Sequence, residues 1–133
     1  MSSLATFAFA RRALVFAALA FGAVACGPEY ERTEISAVRG HTTIGGTFNR
    51  DRLDVPEGLV ITAYIAAWND DDEPMPLVIR SKDPTVIEVK GVVNERNYAF
   101  VGLKAGATEI ELIADGDLVH TIPATVTKQP ELP

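Results

Sequence analysis

From Thr33 to the end of the chain, no stretch repeats with the 3.6-residue period of an amphipathic helix. Short runs of β-branched and aromatic residues stand there instead, each cut off by turn residues, which confines this part of the chain to an all-β fold. Leu59–Ala67 is the densest run. Leu59, Ile61, Ala63 and Ile65 fall on one face of a strand, and Val60, Thr62 and Tyr64 on the other. A helix can be drawn through Ile61–Trp68. The Pro56-Glu57-Gly58 turn before it and the acid-rich stretch after it favour the strand.

The remaining runs follow the same logic. Ile35, Ala37 and Val38 mark a first strand, broken by Gly40, Gly45 and Gly46, with Ile44 and Phe48 as core anchors. Leu77–Arg80, Thr85–Lys90, Tyr98–Leu103, Ala107–Ala114 and Leu118–Val126 read as strands. Asp115-Gly116 is a tight hairpin signal. Pro74 and Pro76 disfavour regular pairing in Asn69–Pro76. Pro123 cannot donate to a neighbouring strand, so it belongs at a sheet edge or a bulge. About seven short strands at this spacing fit a single immunoglobulin-like β-sandwich. Val86, Val89, Phe100, Leu103, Ile110 and Leu112 are its expected inward set. The chain has one cysteine, so no internal disulfide ties the sheets and the core alone must hold them.

The N-terminal part has a different texture. Arg11-Arg12 precede thirteen uncharged, mostly apolar residues, Ala13–Ala25. That is the length of a secretory signal's apolar stretch, roughly 7–15 residues, and short for a membrane span of roughly 20. An uncleaved anchor stays open, because Leu4–Ala10 is also mostly apolar. Ala23-Val24-Ala25-Cys26 resembles the bacterial lipobox, with Ala23 where Leu is usual. The resemblance implies cleavage before Cys26 and a diacylglycerol on its sulfur, often with acylation of its amine. An ordinary signal cut after Ala25 also fits. A lone exposed thiol in an oxidising compartment is a liability, which favours the lipid. The resulting division is a lipoprotein signal peptide over 1–25, a lipidated N-terminus and tether over 26–32, the sandwich over 33–127 and a flexible tail over 128–133. The protein is expected on a bacterial cell envelope, attached to a membrane through lipid on Cys26, with inner and outer membrane left open.

Charge and side-chain inventory exclude several functions. Residues 1–25 hold two of the 12 basic residues and none of the 18 acidic ones, so the remaining 108 residues (133 less 25) carry −8. An acidic domain without a basic strip repels nucleic acid. Past the signal, Ser36 and Ser81 are the serines and His41 and His120 the histidines. Neither serine sits in a nucleophile motif, and the histidines lack the spacing of a zinc site, so no enzyme is expected. The one charged constellation is Asp70, Asp71, Asp72 and Glu73. In a sandwich of this topology Asp115 and Asp117 approach it, and oxygen ligands from two loops could hold calcium. The other reading is a solvated acidic loop that needs no cofactor. Pro74-Met75-Pro76 is either an exposed partner contact or a rigid loop covering the sandwich end.

Ser81-Lys82-Asp83-Pro84-Thr85-Val86-Ile87-Glu88-Val89 and Phe100-Val101-Gly102-Leu103-Lys104-Ala105-Gly106-Ala107-Thr108-Glu109-Ile110 resemble two segments of bacterial immunoglobulin-like group 2 domains. Val55-x-x-Gly58, followed by Ile61 and Tyr64, is similar to their first core strand. The similarity spans Leu53–Val126. The connection Gly91–Asn97 is longer than the family's turn, and Trp68 ends a strand rather than sitting centrally in the next. The resemblance implies a binding or interaction module without catalysis, with an envelope protein or a surface glycan as partner. The alternative is a structural accessory subunit of an envelope or secretion assembly. Oligomeric state is not legible.

Overall fold

The computed structural model describes residues 27–40, 45–92 and 95–129. The signal segment, Cys26, His41, Ile44 and residues 130–133 lie outside that range. Among the described residues, ten strands form two sheets: β1 (Tyr30–Arg39), β2 (Thr47–Phe48), β3 (Leu53–Pro56), β4 (Val60–Asn69), β5 (Pro74–Met75), β6 (Leu77–Ser81), β7 (Ile87–Val92), β8 (Asn97–Gly102), β9 (Gly106–Ala114) and β10 (Asp117–Thr127). One sheet has the order β1-β4-β8-β7, with β5 also on β4; the other has the order β2-β3-β10-β9-β6. β1 runs antiparallel to β4 in the first sheet, while β3 runs parallel to β10 in the second. The chain thus enters both sheets before its first long central strand, and the whole is an immunoglobulin-like sandwich.

Alternation decides which residues fill it. Ile61, Ala63 and Ile65 of β4 are buried, as are Ile110 and Leu112 of β9 and Ile122, Ala124 and Val126 of β10. Leu53 and Val55 of β3 close the same core. Each valine, leucine or isoleucine among them contributes roughly 1.5–3 kcal/mol when fully buried. Phe48 of the second sheet meets Phe100 of the first, with ring centroids 4.8 Å apart and a 57° tilt. The separation lies in the favoured range for aromatic pairs, with the rings tilted toward edge-to-face.

Register shifts set the phase of long strands; β1 has one between Tyr30 and Arg32 and a second further on. In β1 the register shifts between Ser36 and Arg39, and Ala37 lies between them with φ at 50°. The shift lets Val38 join Ile35 against the core. In β10 the register shifts between Leu118 and His120, so Val119 packs on the core while Leu118 points outward. The β9–β10 hairpin turns through Asp115 (φ 49°) and Gly116 (φ 86°), the double left-handed geometry of a two-residue hairpin turn.

Several sequence expectations need correction. β1 begins at Tyr30, inside the stretch read as tether. Pro74 and Met75 pair with Trp68 and Ala67, so the polar loop contains a two-residue strand. Leu103 is 44% exposed rather than inward. β8 ends at Gly102, and the Leu103 N–H donates to the Val86 carbonyl at 2.9 Å, which turns the chain out of the sheet. Val89 is only partly buried, and Ile87, omitted from the expected set, is fully buried. Thr85 and Val86 lie in the turn before β7. The Asp83 carboxylate orders that turn by accepting from the Thr85 hydroxyl at 2.6 Å and the Thr85 N–H at 3.1 Å. Those two bonds hold the Asp83 carboxyl below its ordinary pKa. Pro123 faces Glu109 of β9, and β3 joins the other flank of β10 only from Ala124 onward. β10 is central in its sheet, but at Pro123 it has a partner on one flank alone.

Candidate functional site

The acidic end is built around Asn69, the last residue of β4. Its side chain is nearly buried, and Oδ1 accepts from the Asp71 N–H at 3.0 Å and the Glu73 N–H at 2.9 Å. The Asn69 N–H donates to the Glu73 carbonyl, and the Asp72 N–H donates back to the Asn69 carbonyl. These bonds close a tight turn in which Asp72 takes φ 61°. An Asx side chain at the mouth of an acidic loop is a sequence-readable turn signal.

The turn also grips the N-terminal segment. The Asp70 N–H donates to the Glu29 carbonyl at 2.9 Å, and Asp70 Oδ1 accepts from the Glu29 N–H at 3.2 Å. Arg32 of β1 reaches Asp72 Oδ1 at 2.6 Å, and that bond raises the guanidinium pKa. The same guanidinium lies 5.4 Å from the Trp68 ring centroid. The Trp68 indole N–H donates to Glu34 Oε2 at 3.1 Å. These surface contacts fix the position of β1 more than they add stability.

The hairpin acids come to the same end. The Asp115 N–H donates to the Pro76 carbonyl at 2.9 Å, and Asp115, Asp117 and Glu29 line one cavity of about 310 Å³. The loops therefore meet as expected, but the carboxylates do not converge. Among the described residues, no group of three or more His, Cys, Asp or Glu is placed to hold a metal ion. As described, Asp70, Asp71, Asp72, Glu73, Asp115 and Asp117 are not gathered into such a group. Asp70 is bonded to Glu29 and Asp72 to Arg32, whereas calcium needs six to eight oxygens around one point.

The catalytic inventory is equally dispersed. Ser81 Oγ is buried and has no hydrogen-bond partner among the described residues. His120 Nε2 lies 2.6 Å from the Arg50 carbonyl. No described serine bonds a histidine, and Ser81 is closed to substrate. An unpartnered buried hydroxyl costs stability. Ser81→Ala is therefore expected to raise stability by about 1 kcal/mol. Thermal melting reads this as a rise of roughly 4–8 °C, and a fall would place an unrecognised partner on the hydroxyl.

Met75, half-buried in β5, lines the acidic cavity and also a second cleft of about 300 Å³. The second cleft is bounded by Ile65 and Ala66 of β4, by Pro74–Leu77, and by Arg96 and Tyr98. The Pro-Met-Pro signal was legible in the sequence. Arg96 and Tyr98 were not, because Arg96 just before β8 and Tyr98 within it meet the Pro-Met-Pro segment only through the tertiary fold.

No family model matches the chain, and no curated protein matches it. Solved structures do. The chain is similar to domains 4 and 5 of the S-layer protein SbsC at 14% identity and a TM-score of 0.54, covering 76% of this chain and 54% of that one. It is similar to domains 1–6 of SbsC at 13% identity and a TM-score of 0.57, covering 79% of this chain and 14% of that one. It resembles a longer SbsC fragment, residues 31–844, at 13% identity and a TM-score of 0.56. The chain spans about half or less of the length of these structures. At such identities the likeness shows a shared fold: a β-sandwich of the kind found in a surface-layer protein.

Proposed function

We propose that this chain is a lipid-anchored, non-catalytic module of a bacterial cell envelope, which binds or positions another surface component. The observation that carries the reading is the sandwich itself. The polar groups of its acidic end serve turns, ion pairs and the seating of β1, and the solved structures it resembles are S-layer domains. The Ala23-Val24-Ala25-Cys26 sequence supports the anchor. The Lys104-Ala105-Gly106 corner supports the finer assignment to group 2 immunoglobulin-like domains. The clamp on Glu29 shortens the tether to Cys26, Gly27 and Pro28, a reach of roughly 10 Å. The acidic end then faces the membrane. The partner is an envelope protein or a surface glycan. Fractionation tests the anchor: Cys26→Ser should leave the membrane fraction or accumulate as uncleaved precursor. Retention of a processed Cys26→Ser protein in the membrane would overturn it.

One observation favours a second reading, a structural accessory subunit. Val78 of β6 and Leu118 of β10 are 58% and 56% exposed and flank Ile113 of β9 in one row. Such a row on an outer sheet face suits a permanent neighbour. Val78→Lys with Leu118→Lys should then abolish co-purification with an envelope complex while leaving the fold intact. Unchanged co-purification would remove this reading.

A further inference from the structure

β4 has two partners along one flank. Its first half pairs with β8 at Val60–Tyr64, and its end pairs with β5 at Ala67 and Trp68. The flank opens between them, at Ile65 and Ala66, and the cleft of about 300 Å³ lies there. Its lining combines Met75, the two prolines beside it and Leu77 with two residues that carry polar groups, Arg96 and Tyr98.

Those two groups are unmatched. The Arg96 guanidinium makes no ion pair with any described residue, as is also true of Arg39, Arg50, Lys104 and Lys128, while the cations at 32, 52, 80, 82 and 90 are paired. Arg96 also holds φ at 53°, a left-handed conformation unfavourable for a residue with a side chain, and its carbonyl accepts from the Ile65 N–H at 2.9 Å. Strain of this kind at a cleft wall is an observation from which function can be argued. The Tyr98 ring is nearly buried over Gly91, and its hydroxyl bonds no described residue. Burial raises the phenol pKa, so the hydroxyl keeps its proton and remains a donor.

A cation, a neutral donor and apolar side chains lining one cleft are complementary to one chemistry. We propose that this cleft binds a carboxylate carried on a small apolar body, with Arg96 holding the charge, Tyr98 donating to it, and Met75 and Leu77 packing the apolar part. The volume sits at the lower end of ligand sites. The source is either a free organic acid or the C-terminal residue of a polypeptide, which present the same group.

The test uses the full chain, extracted in non-ionic detergent with isotope-labelled methionine methyl groups. The chain has two methionines, Met1 and Met75, so Met75→Leu assigns the cleft signal. Benzoate and benzamide form one pair of probes. A short acetylated peptide ending in leucine, with free carboxylate or with amide, forms the other. The Met75 signal should move saturably with an acid and at least about tenfold more weakly with its neutral counterpart. Whichever acid saturates first identifies the source. Arg96→Gly should abolish the shift without lowering the melting temperature, because glycine accepts the left-handed backbone. Tyr98→Phe should weaken binding several-fold. Equal binding of acid and amide, a motionless Met75 signal, or intact binding in Arg96→Gly would each overturn the proposal.

Discussion

Phe100→Ala is expected to lower the stability of the domain by about 3–5 kcal/mol. Phe100 is fully buried in β8, which lies between β4 and β7. Its ring meets Phe48 across the sandwich, so one truncation removes contacts to both sheets. The chain's single cysteine leaves no disulfide between the sheets, so no covalent tie limits the damage. The surrounding strands are fixed by their hydrogen-bond ladders and cannot collapse fully into the gap, which adds a cavity cost to the lost transfer energy. Total stability of such domains is about 5–15 kcal/mol, so the loss is a large fraction. Urea denaturation should show a lower midpoint with an unchanged slope. A loss below about 1 kcal/mol, the scale of a typical surface change, would mean that the ring is not a core anchor.

Gly102→Ala is expected to destabilise by about 1–3 kcal/mol, the cost of overpacking, although alanine usually improves a strand interior. A Cβ on Gly102 would lie 2.7 Å from the Pro56 carbonyl oxygen and 3.3 Å from methyl groups of Val55 and Val126. The strand cannot retreat. The Gly102 carbonyl accepts from the Gly58 N–H at 2.7 Å, and its own N–H donates to the Leu59 carbonyl at 3.0 Å. The clash therefore falls on backbone held by backbone. Equilibrium denaturation of the variant should show the loss, and a neutral or stabilising result would contradict this account of the corner.

Gly102 also shows what a sequence makes legible. Two glycines around Leu103 at a strand end signal a close approach, and that part holds. The same reasoning placed Leu103 inward, where the Val86 carbonyl instead draws its amide out of the sheet. Local alternation located the inward faces of β4 and β9 because both strands bury one face uniformly. It placed Val86 inward correctly but began the strand at Thr85 and missed Ile87, which starts β7 and is fully buried. It could not reveal the bulges at Ala37 and Val119, since an extra residue leaves no mark on composition. The acidic end was legible as a meeting of two loops, because topology fixes which connections share an end. Whether carboxylates converge depends on ångström-scale partners such as Asn69, Glu29 and Arg32, and those are tertiary facts. The cleft at Arg96 depends on a gap between two partners of one strand, which no local pattern encodes.

Intact-mass measurement of the protein extracted from membranes tests the envelope anchor most directly. The expected species begins at Cys26 and carries the mass of a diacylglycerol, with or without a further acyl chain on its amine. A soluble species that retains residues before Cys26, with an unmodified thiol, would contradict it.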